Sequence, residues 1–102
     1  MSMNNQPTDV ELEETERLYW VEQAQALERL EDNKDFQKVI LDGYFKDRAL
    51  DQVSLLGTEY IKQNGKRPEV MEILVAISTL QDHFATIKNI GAAVYDDMYE
   101  DE

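Results

Sequence analysis

The chain has 102 residues, of which 42% are hydrophobic and 31% are charged, and its formal net charge is −12. This length suits a single domain, and the low content of 2 prolines and 4 glycines favours helices over a turn-rich β-fold. Cysteine is absent, which excludes disulfides, thiolate metal sites and a cysteine nucleophile.

Acidic residues are concentrated at the two ends of the chain. Residues 9–16 and residues 96–102 hold five each, whereas residues 17–95 hold twelve acids against ten Lys and Arg. The sequence has no basic stripe that could release counterions from a phosphate backbone, so we expect no direct binding to nucleic acid. The acidic ends would serve either solubility or docking onto a basic partner.

The N-terminal region predicts a polar arm followed by a long helix. Residues 1–8 are expected to form a flexible arm, because they are polar and end next to a proline. They lack the features of a signal peptide, and no apolar run reaches the ~18–20 residues that span a bilayer, so no membrane insertion is expected. Thr8 and Glu11 have the spacing of a capping box, which predicts a helix over about residues 9–31.

The apolar residues of this first helix form a stripe late in its length. Trp20, Ala24, Leu27 and Leu30 recur at steps of three and four residues, as on one face of a helix. Trp20 is the only tryptophan and lies beside Tyr19. Burial of Trp20 as a core anchor is favoured, and an exposed interface residue is the alternative.

A second helix is predicted over about residues 35–56, after a polar corner in which Asn33 or Asp35 would be the N-cap. Its apolar residues have mixed spacings, and Gly43 lies inside the pattern, where it would permit a bend or a close helix approach. The following stretch, residues 58–67, contains the turn signal Asn64-Gly65 and the most basic patch of the chain. A solvated loop is favoured there over an anion site.

A third helix is predicted over about residues 68–90, with Pro68 as its first residue. A heptad-like seam runs along it: Ile73, Ile77, Leu80, Phe84 and Ile87. This seam would be buried against the other two helices or, alternatively, would join copies of the chain. Gly91 would stop the helix, although residues 92–95 could also extend it or start a short one. Residues 92–102 would form an acidic tail that offers contacts through Tyr95 and Tyr99.

The sequence shows no arrangement typical of an active site. His83 is the only histidine and has no convergent donors at helical spacing, so an exposed, non-catalytic histidine is favoured. Glu-x-x-His motifs, glycine-rich phosphate loops, nucleophile elbows and calcium-binding loops are all missing from the sequence. We therefore predict a protein that is not an enzyme and holds no cofactor or metal.

Two regions of the sequence carry a family resemblance. The first comprises Leu27-Glu28-Arg29-Leu30, Asn33-Lys34-Asp35-Phe36 and the run from Val39 to Phe45. The second comprises Ala76-Ile77-Ser78-Thr79-Leu80 and Phe84-Ala85-Thr86-Ile87. Together they resemble small uncharacterised helical proteins of tailed bacteriophages. The resemblance covers about residues 24–91 and implies a phage origin and a place among virion or assembly genes, with no known active site.

The predicted fold is all-α, either a three-helix bundle or a helical hairpin with a long N-terminal helix, with flexible acidic termini. Residues 9–91 would form the single helical domain. The expected function is that of a virion-associated or assembly protein, found in the virion or the host cytoplasm, that contacts other phage structural or assembly proteins. Homo-oligomerisation is left open as a further contact. The alternatives are an acidic nucleic-acid mimic that inhibits a host protein and a phage assembly chaperone. Candidate contact residues are Tyr19, Trp20, Ile73, Ile77, Leu80, Phe84, Ile87, Tyr95 and Tyr99.

Overall fold

The computed structural model describes residues 9–100, with side chains for residues 13–97. Every element in this range is helical, which confirms the all-α prediction. The elements are α1 (Asp9–Glu31), α2 (Lys34–Phe36), a π-helical segment (Gln37–Arg48), α3 (Ala49–Leu56), α4 (Glu59–Gln63) and α5 (Arg67–Glu100). Since α2, the π-helical segment and α3 are continuous, we call residues 34–56 the middle helix.

Helix α5 has 34 residues, and both α1 and the middle helix pack against it. The longest dimension of the molecule is 69 Å. Helix α1 runs antiparallel to its C-terminal half, as two ion pairs show: Arg17 with Asp97 at 3.3 Å and Glu31 with Lys88 at 2.8 Å. The middle helix then continues along the N-terminal half of α5, to which both the π-helical segment and α3 pack. At the far end the Arg67 guanidinium donates a hydrogen bond to the Leu56 carbonyl oxygen at 3.2 Å.

This arrangement does not confirm the predicted three-helix bundle. Helix α1 and the middle helix occupy successive parts of α5 and meet mainly around the corner between them. There the Gln37 side-chain amide donates to the Glu31 carbonyl oxygen at 2.6 Å, and the Asn33 side chain caps the next helix by accepting from the Phe36 N–H at 2.9 Å. Asn33 is thus the N-cap, rather than the alternative Asp35. Residues 1–8, predicted to be a flexible arm, lie outside the described part.

The predicted helix stop at Gly91 is wrong, because α5 continues through it to Glu100. Gly91 is buried where α5 approaches α1, and a Cβ at this position would collide with the Cβ of Ala24 and lie 3.3 Å from the Trp20 carbonyl oxygen. Its role is therefore close helix packing. Residues 92–100, predicted to belong to an acidic tail, are helical because they extend α5 alongside α1.

The predicted loop at residues 58–67 contains a short helix, α4. The Thr58 hydroxyl caps it by accepting from the Ile61 N–H at 3.4 Å, and Ile61 is buried. The turn at Asn64-Gly65 is present as predicted. Gly65 has φ of 63°, and the Lys66 N–H bonds to the Ile61 carbonyl oxygen at 3.0 Å, which are features of a Schellman cap. The sequence signal that was missed is the spacing of Thr58 from the buried Ile61.

The π-helical segment explains why the apolar pattern of the middle helix is irregular. Phe36 and Phe45 both contact the Phe84 ring, with ring centroids 6.0 and 5.5 Å apart. Nine residues cover about two and a half turns of an α-helix, which would put the two rings on opposite faces. Wider turns, with hydrogen bonds from i to i+5, bring both rings to the same face. Gly43 fits this segment because a Cβ there would lie 2.9 Å from the Lys38 carbonyl oxygen.

The wider turns also change which side of the middle helix is buried. Three apolar residues of the predicted second helix are more than half exposed: Val39, Leu50 and Val53. Gln52 is buried in their place, and its side-chain oxygen has no hydrogen-bond partner within the described structure. The inner side of the middle helix is therefore less apolar than a 3.6-residue pattern predicts.

The seam predicted on the third helix is the packed face of α5. Ile77 and Ile87 are buried, with 2% and 5% of their surface exposed, and Ile73, Leu80 and Phe84 are half-buried. A fully buried isoleucine contributes roughly 1.5–3 kcal/mol relative to an exposed one. Packing within the chain therefore accounts for this seam. Of the two interpretations of the sequence, this is burial against the other helices rather than contact between copies of the chain.

Candidate interaction surface

The antiparallel pairing of α1 with α5 brings the two acidic ends of the sequence to one end of the molecule. The only described basic side chain in this region, Arg17, pairs with Asp97, and both side chains are exposed. We call this region the acidic pole. Its described carboxylates are all exposed and belong to Glu13, Glu14, Glu16, Asp96 and Asp97. The fold thus joins these five described carboxylates, which come from two distant segments of the sequence, in one negative surface.

An apolar groove begins at the acidic pole and runs between α1 and α5 along one side of the molecule. It consists of two concavities of about 350 Å³ each. The one at the pole is lined by Glu13, Glu16, Arg17, Trp20, Ile90 and Val94. The next is lined by Gln23, Ala26, Leu27, Leu30, His83, Phe84 and Ile87.

Helical spacing shows that the two concavities form one surface, which we call the Trp20 groove. On α1 the lining residues recur at steps of three and four from Trp20 through Gln23 and Leu27 to Leu30. The lining residues of α5 follow the same rule from His83 to Val94. The groove floor is well packed at Leu27 and Ile87, whereas Leu30 on the rim is 44% exposed.

Some of the predicted contact residues meet in this groove. Trp20 is half-buried in its wall, and its ring contacts that of Tyr19 edge-on at 5.2 Å. Tyr19 itself is 52% exposed. Phe84 and Ile87 also line the groove, so four of the predicted residues lie in or beside it.

The remaining predicted contact residues lie elsewhere. Ile73, Ile77 and Leu80 lie on the N-terminal half of α5, which packs on the middle helix. Tyr95 is half exposed and lines a different concavity, and the side chain of Tyr99 lies outside the described residues. Sequence reasoning missed Leu30 as a surface residue and did not single out Ile90 or Val94 as contact residues. The signal that could have found the latter two is the continuation of the apolar period beyond Ile87.

The opposite side of the α1 and α5 pair has a smaller concavity than either of the two in the Trp20 groove. It holds a concavity of about 290 Å³ that is bridged by the ion pair of Glu31 with Lys88. Small residues line its floor, where Gly91 approaches Ala24. This side offers less apolar surface to a partner than the Trp20 groove does.

The described residues show no arrangement that suggests catalysis. No group of three His, Asp or Glu among them could hold a metal ion. His83 is exposed on the groove rim, with its ring 6.2 Å from that of Phe84. At the far end, the Lys66 ammonium donates to the Tyr60 hydroxyl at 3.2 Å, which raises the pKa of this exposed lysine. The prediction of a non-enzymatic protein stays a prediction.

One stretch of the described chain, residues 67–97 of α5, is long and apolar enough by composition to cross a membrane. The core helix of a soluble protein passes the same test. Asp82 and Lys88 lie within this stretch, and each would cost about 2.5–3.5 kcal/mol at the centre of a bilayer. Packing on α1 and the middle helix explains the buried residues of this helix, which make up 17% of its most apolar stretch.

Comparisons with known proteins found no relative of this chain. No protein-family model matches the chain, and no match was found among curated proteins or among solved structures. The geometry of the Trp20 groove and the acidic pole therefore carries the functional argument.

Proposed function

We propose that this chain is a small, non-enzymatic structural or assembly protein of a tailed bacteriophage that acts through protein–protein contacts. The observation that carries the proposal is the Trp20 groove, an open apolar surface that begins at a strongly negative pole. The sequence resemblance over about residues 24–91 supplies the phage setting, in the virion or the host cytoplasm.

Exposed apolar groups in and beside the groove support a role in binding. Tyr19 and Leu30 are each close to half exposed, and Trp20, Ile90 and Val94 are only half-buried. Single exposed apolar residues are ordinary on protein surfaces, but contiguous ones rimmed by polar groups mark interaction sites. Aromatic residues such as Trp20 and Tyr19 are enriched among the residues that dominate binding energy.

The helical arrangement also supports assembly with another chain. Along most of its length the molecule has only two layers, with α1 or the middle helix on one side and α5 on the other. An additional helix in the Trp20 groove would complete a bundle of three helices locally. This bundle would differ from the one predicted from the sequence, because its third helix would come from a partner protein.

The decisive test is the location of the protein during phage growth. Quantitative mass spectrometry of purified virions and procapsids should detect several copies per particle. A capsid protein of known copy number serves as the internal standard, and an early non-structural phage protein serves as the negative control. Absence from both kinds of particle would contradict the structural role, and presence in procapsids alone would identify an assembly chaperone.

The second candidate function is a nucleic-acid mimic that inhibits a host protein. The observation in its favour is that exposed acids extend along α1 beyond the pole, at Glu22 and Glu28. Such a mimic would capture a nucleic-acid-binding host protein and release it in about 0.5 M salt, where exposed charges more than ~4 Å apart are largely screened. Competition with DNA for the captured protein would separate this function from assembly.

A further inference from the structure

We infer that the Trp20 groove binds the apolar face of a basic amphipathic helix of a partner protein, with the cationic end of that helix at the acidic pole. This inference rests on the proposed function and names the class of partner. It follows from the shape of the groove, from the charge at its end and from the location of exposed apolar groups.

The groove has the dimensions for a short helix. Trp20 and Leu30 lie ten residues apart on α1, about 15 Å along the helix, and His83 and Val94 cover a similar length of α5. About three turns of a partner helix would lie along this length. Helices that bind in grooves insert apolar residues at positions i, i+3 or i+4, and i+7, which matches the two consecutive concavities.

The charge distribution selects a basic helix over a neutral or acidic one. Glu13 and Glu16 line the pole end of the groove. The one cation that lines it, Arg17, is paired with Asp97. No lysine or arginine lines the second concavity. A partner helix with Lys or Arg at one end and leucine-like residues along one face complements both features.

The same charges disfavour a second copy of this chain as the occupant. Two copies that docked groove to groove in a parallel arrangement would bring their acidic poles together, and each chain carries a net charge of −12. In an antiparallel arrangement each pole would face the second concavity of the other copy, which no lysine or arginine lines. Like charges placed opposite each other select against a partner. Self-association through the groove is therefore an outcome that would contradict the inference.

The test uses the full chain and a synthetic amphipathic peptide of about 18 residues with leucines at groove spacing and four lysines at one end. Trp20 is the only tryptophan, so its fluorescence in a titration with a tryptophan-free peptide reports on the groove directly. Saturable binding that weakens as salt is added is the expected result. A peptide with glutamates in place of the lysines should bind at least about tenfold more weakly.

Matched leucine variants test the place of binding. Leu30→Asp should weaken binding of the basic peptide about tenfold or more, because Leu30 lines the groove. Leu18→Asp is the control: Leu18 is a leucine of the same helix, is 52% exposed and lines neither concavity of the groove. Circular dichroism would verify that both variants remain helical.

A charge variant tests the orientation. Glu13→Gln with Glu16→Gln should weaken binding of the basic peptide and leave binding of a peptide with serines in place of the lysines unchanged. Three results would overturn the inference: no saturable binding of the basic peptide at about 1 mM, equal losses in Leu18→Asp and Leu30→Asp, or a dimer in light scattering that Leu30→Asp dissociates. Since these are measurements on the purified protein, they are independent of whether it occurs in phage particles.

Discussion

The two halves of the molecule differ in how they pack on α5. The regular half consists of α1 and the C-terminal part of α5, and the irregular half consists of the middle helix and the N-terminal part of α5. Helix α1 is a regular α-helix that approaches α5 closely where Gly91 meets Ala24, and ion pairs flank the contact on both sides. The middle helix meets α5 through aromatic rings and needs a π-helical segment to direct Phe36 and Phe45 at Phe84. Small residues thus permit a close and regular contact, whereas large rings require an irregular backbone. The comparison yields four predictions, which follow from the largest expected effect to the smallest.

Gly91→Ala should weaken the packing of α1 on α5 in the regular half. The added methyl group would collide with Ala24 and push α1 away from α5, so we expect the free energy of unfolding to fall by about 1–3 kcal/mol. Thermal or urea unfolding measures the loss. Ala24→Gly in the same chain removes the collision, so the double variant should lose less stability than the sum of the single ones. Strict additivity would show that the two residues do not meet.

Gln52→Met should stabilise the packing of the middle helix on α5 in the irregular half. It replaces a buried side-chain oxygen that has no partner in the described structure by an apolar group of similar length. Removing such a group should raise the free energy of unfolding by about 1–2 kcal/mol. Urea unfolding with an unchanged slope is the measurement. Gln25→Met, at an exposed position of α1, is the control and should change stability by less than about 0.5 kcal/mol.

Gly43→Ala tests whether the irregular backbone is required. In an α-helix, alanine would be favoured over glycine by about 1 kcal/mol. Here the Cβ would lie 2.9 Å from the Lys38 carbonyl oxygen, so we expect no gain, or a loss of about 0.5–1 kcal/mol. Gly57→Ala is the matched control, because its Cβ would meet only the Ser54 carbonyl oxygen at 3.9 Å. A clear stabilisation in Gly43→Ala would indicate a regular α-helix at residues 37–48.

Arg17→Gln should have the smallest effect of the four. The ion pair of Arg17 with Asp97 is exposed on both sides, and such pairs contribute at most about 0.5 kcal/mol. Unfolding at low and high salt would measure its contribution. A loss above about 1 kcal/mol would mean that the acidic pole is held together by this cation, and that the regular half depends on charge as well as on close packing.

The sequence predicts the regular half better than the irregular one. The spacing from Ile73 to Ile87 identified the packed face of α5, and the corner at Asn33 was placed correctly. The prediction of a helix stop at Gly91 was wrong, because glycine is common both at helix ends and where two helices pack closely. Only the chain that packs opposite it, α1, distinguishes the two roles.

The irregular half shows a different limit. The apolar residues of the middle helix recur at mixed steps of three and four residues, and this pattern does not indicate hydrogen bonds from i to i+5. Val39, Leu50 and Val53 belong to the pattern, but each of them is more than half exposed. The groove was partly predictable, since Trp20 and Phe84 were named, but its position required the pairing of α1 with α5. That pairing also joins the two acidic segments, which are far apart in the sequence.

The order of the helices along the chain has a consequence for biosynthesis. Helix α5 supplies the main packing surface for both α1 and the middle helix, and it leaves the ribosome after both of them. Synthesis proceeds at about 5–20 residues per second, so the first two helices remain without their principal partner for seconds. During that interval their apolar sides are accessible to chaperones or to other nascent chains, and a binding partner translated nearby would meet the Trp20 side of α1 before α5 does.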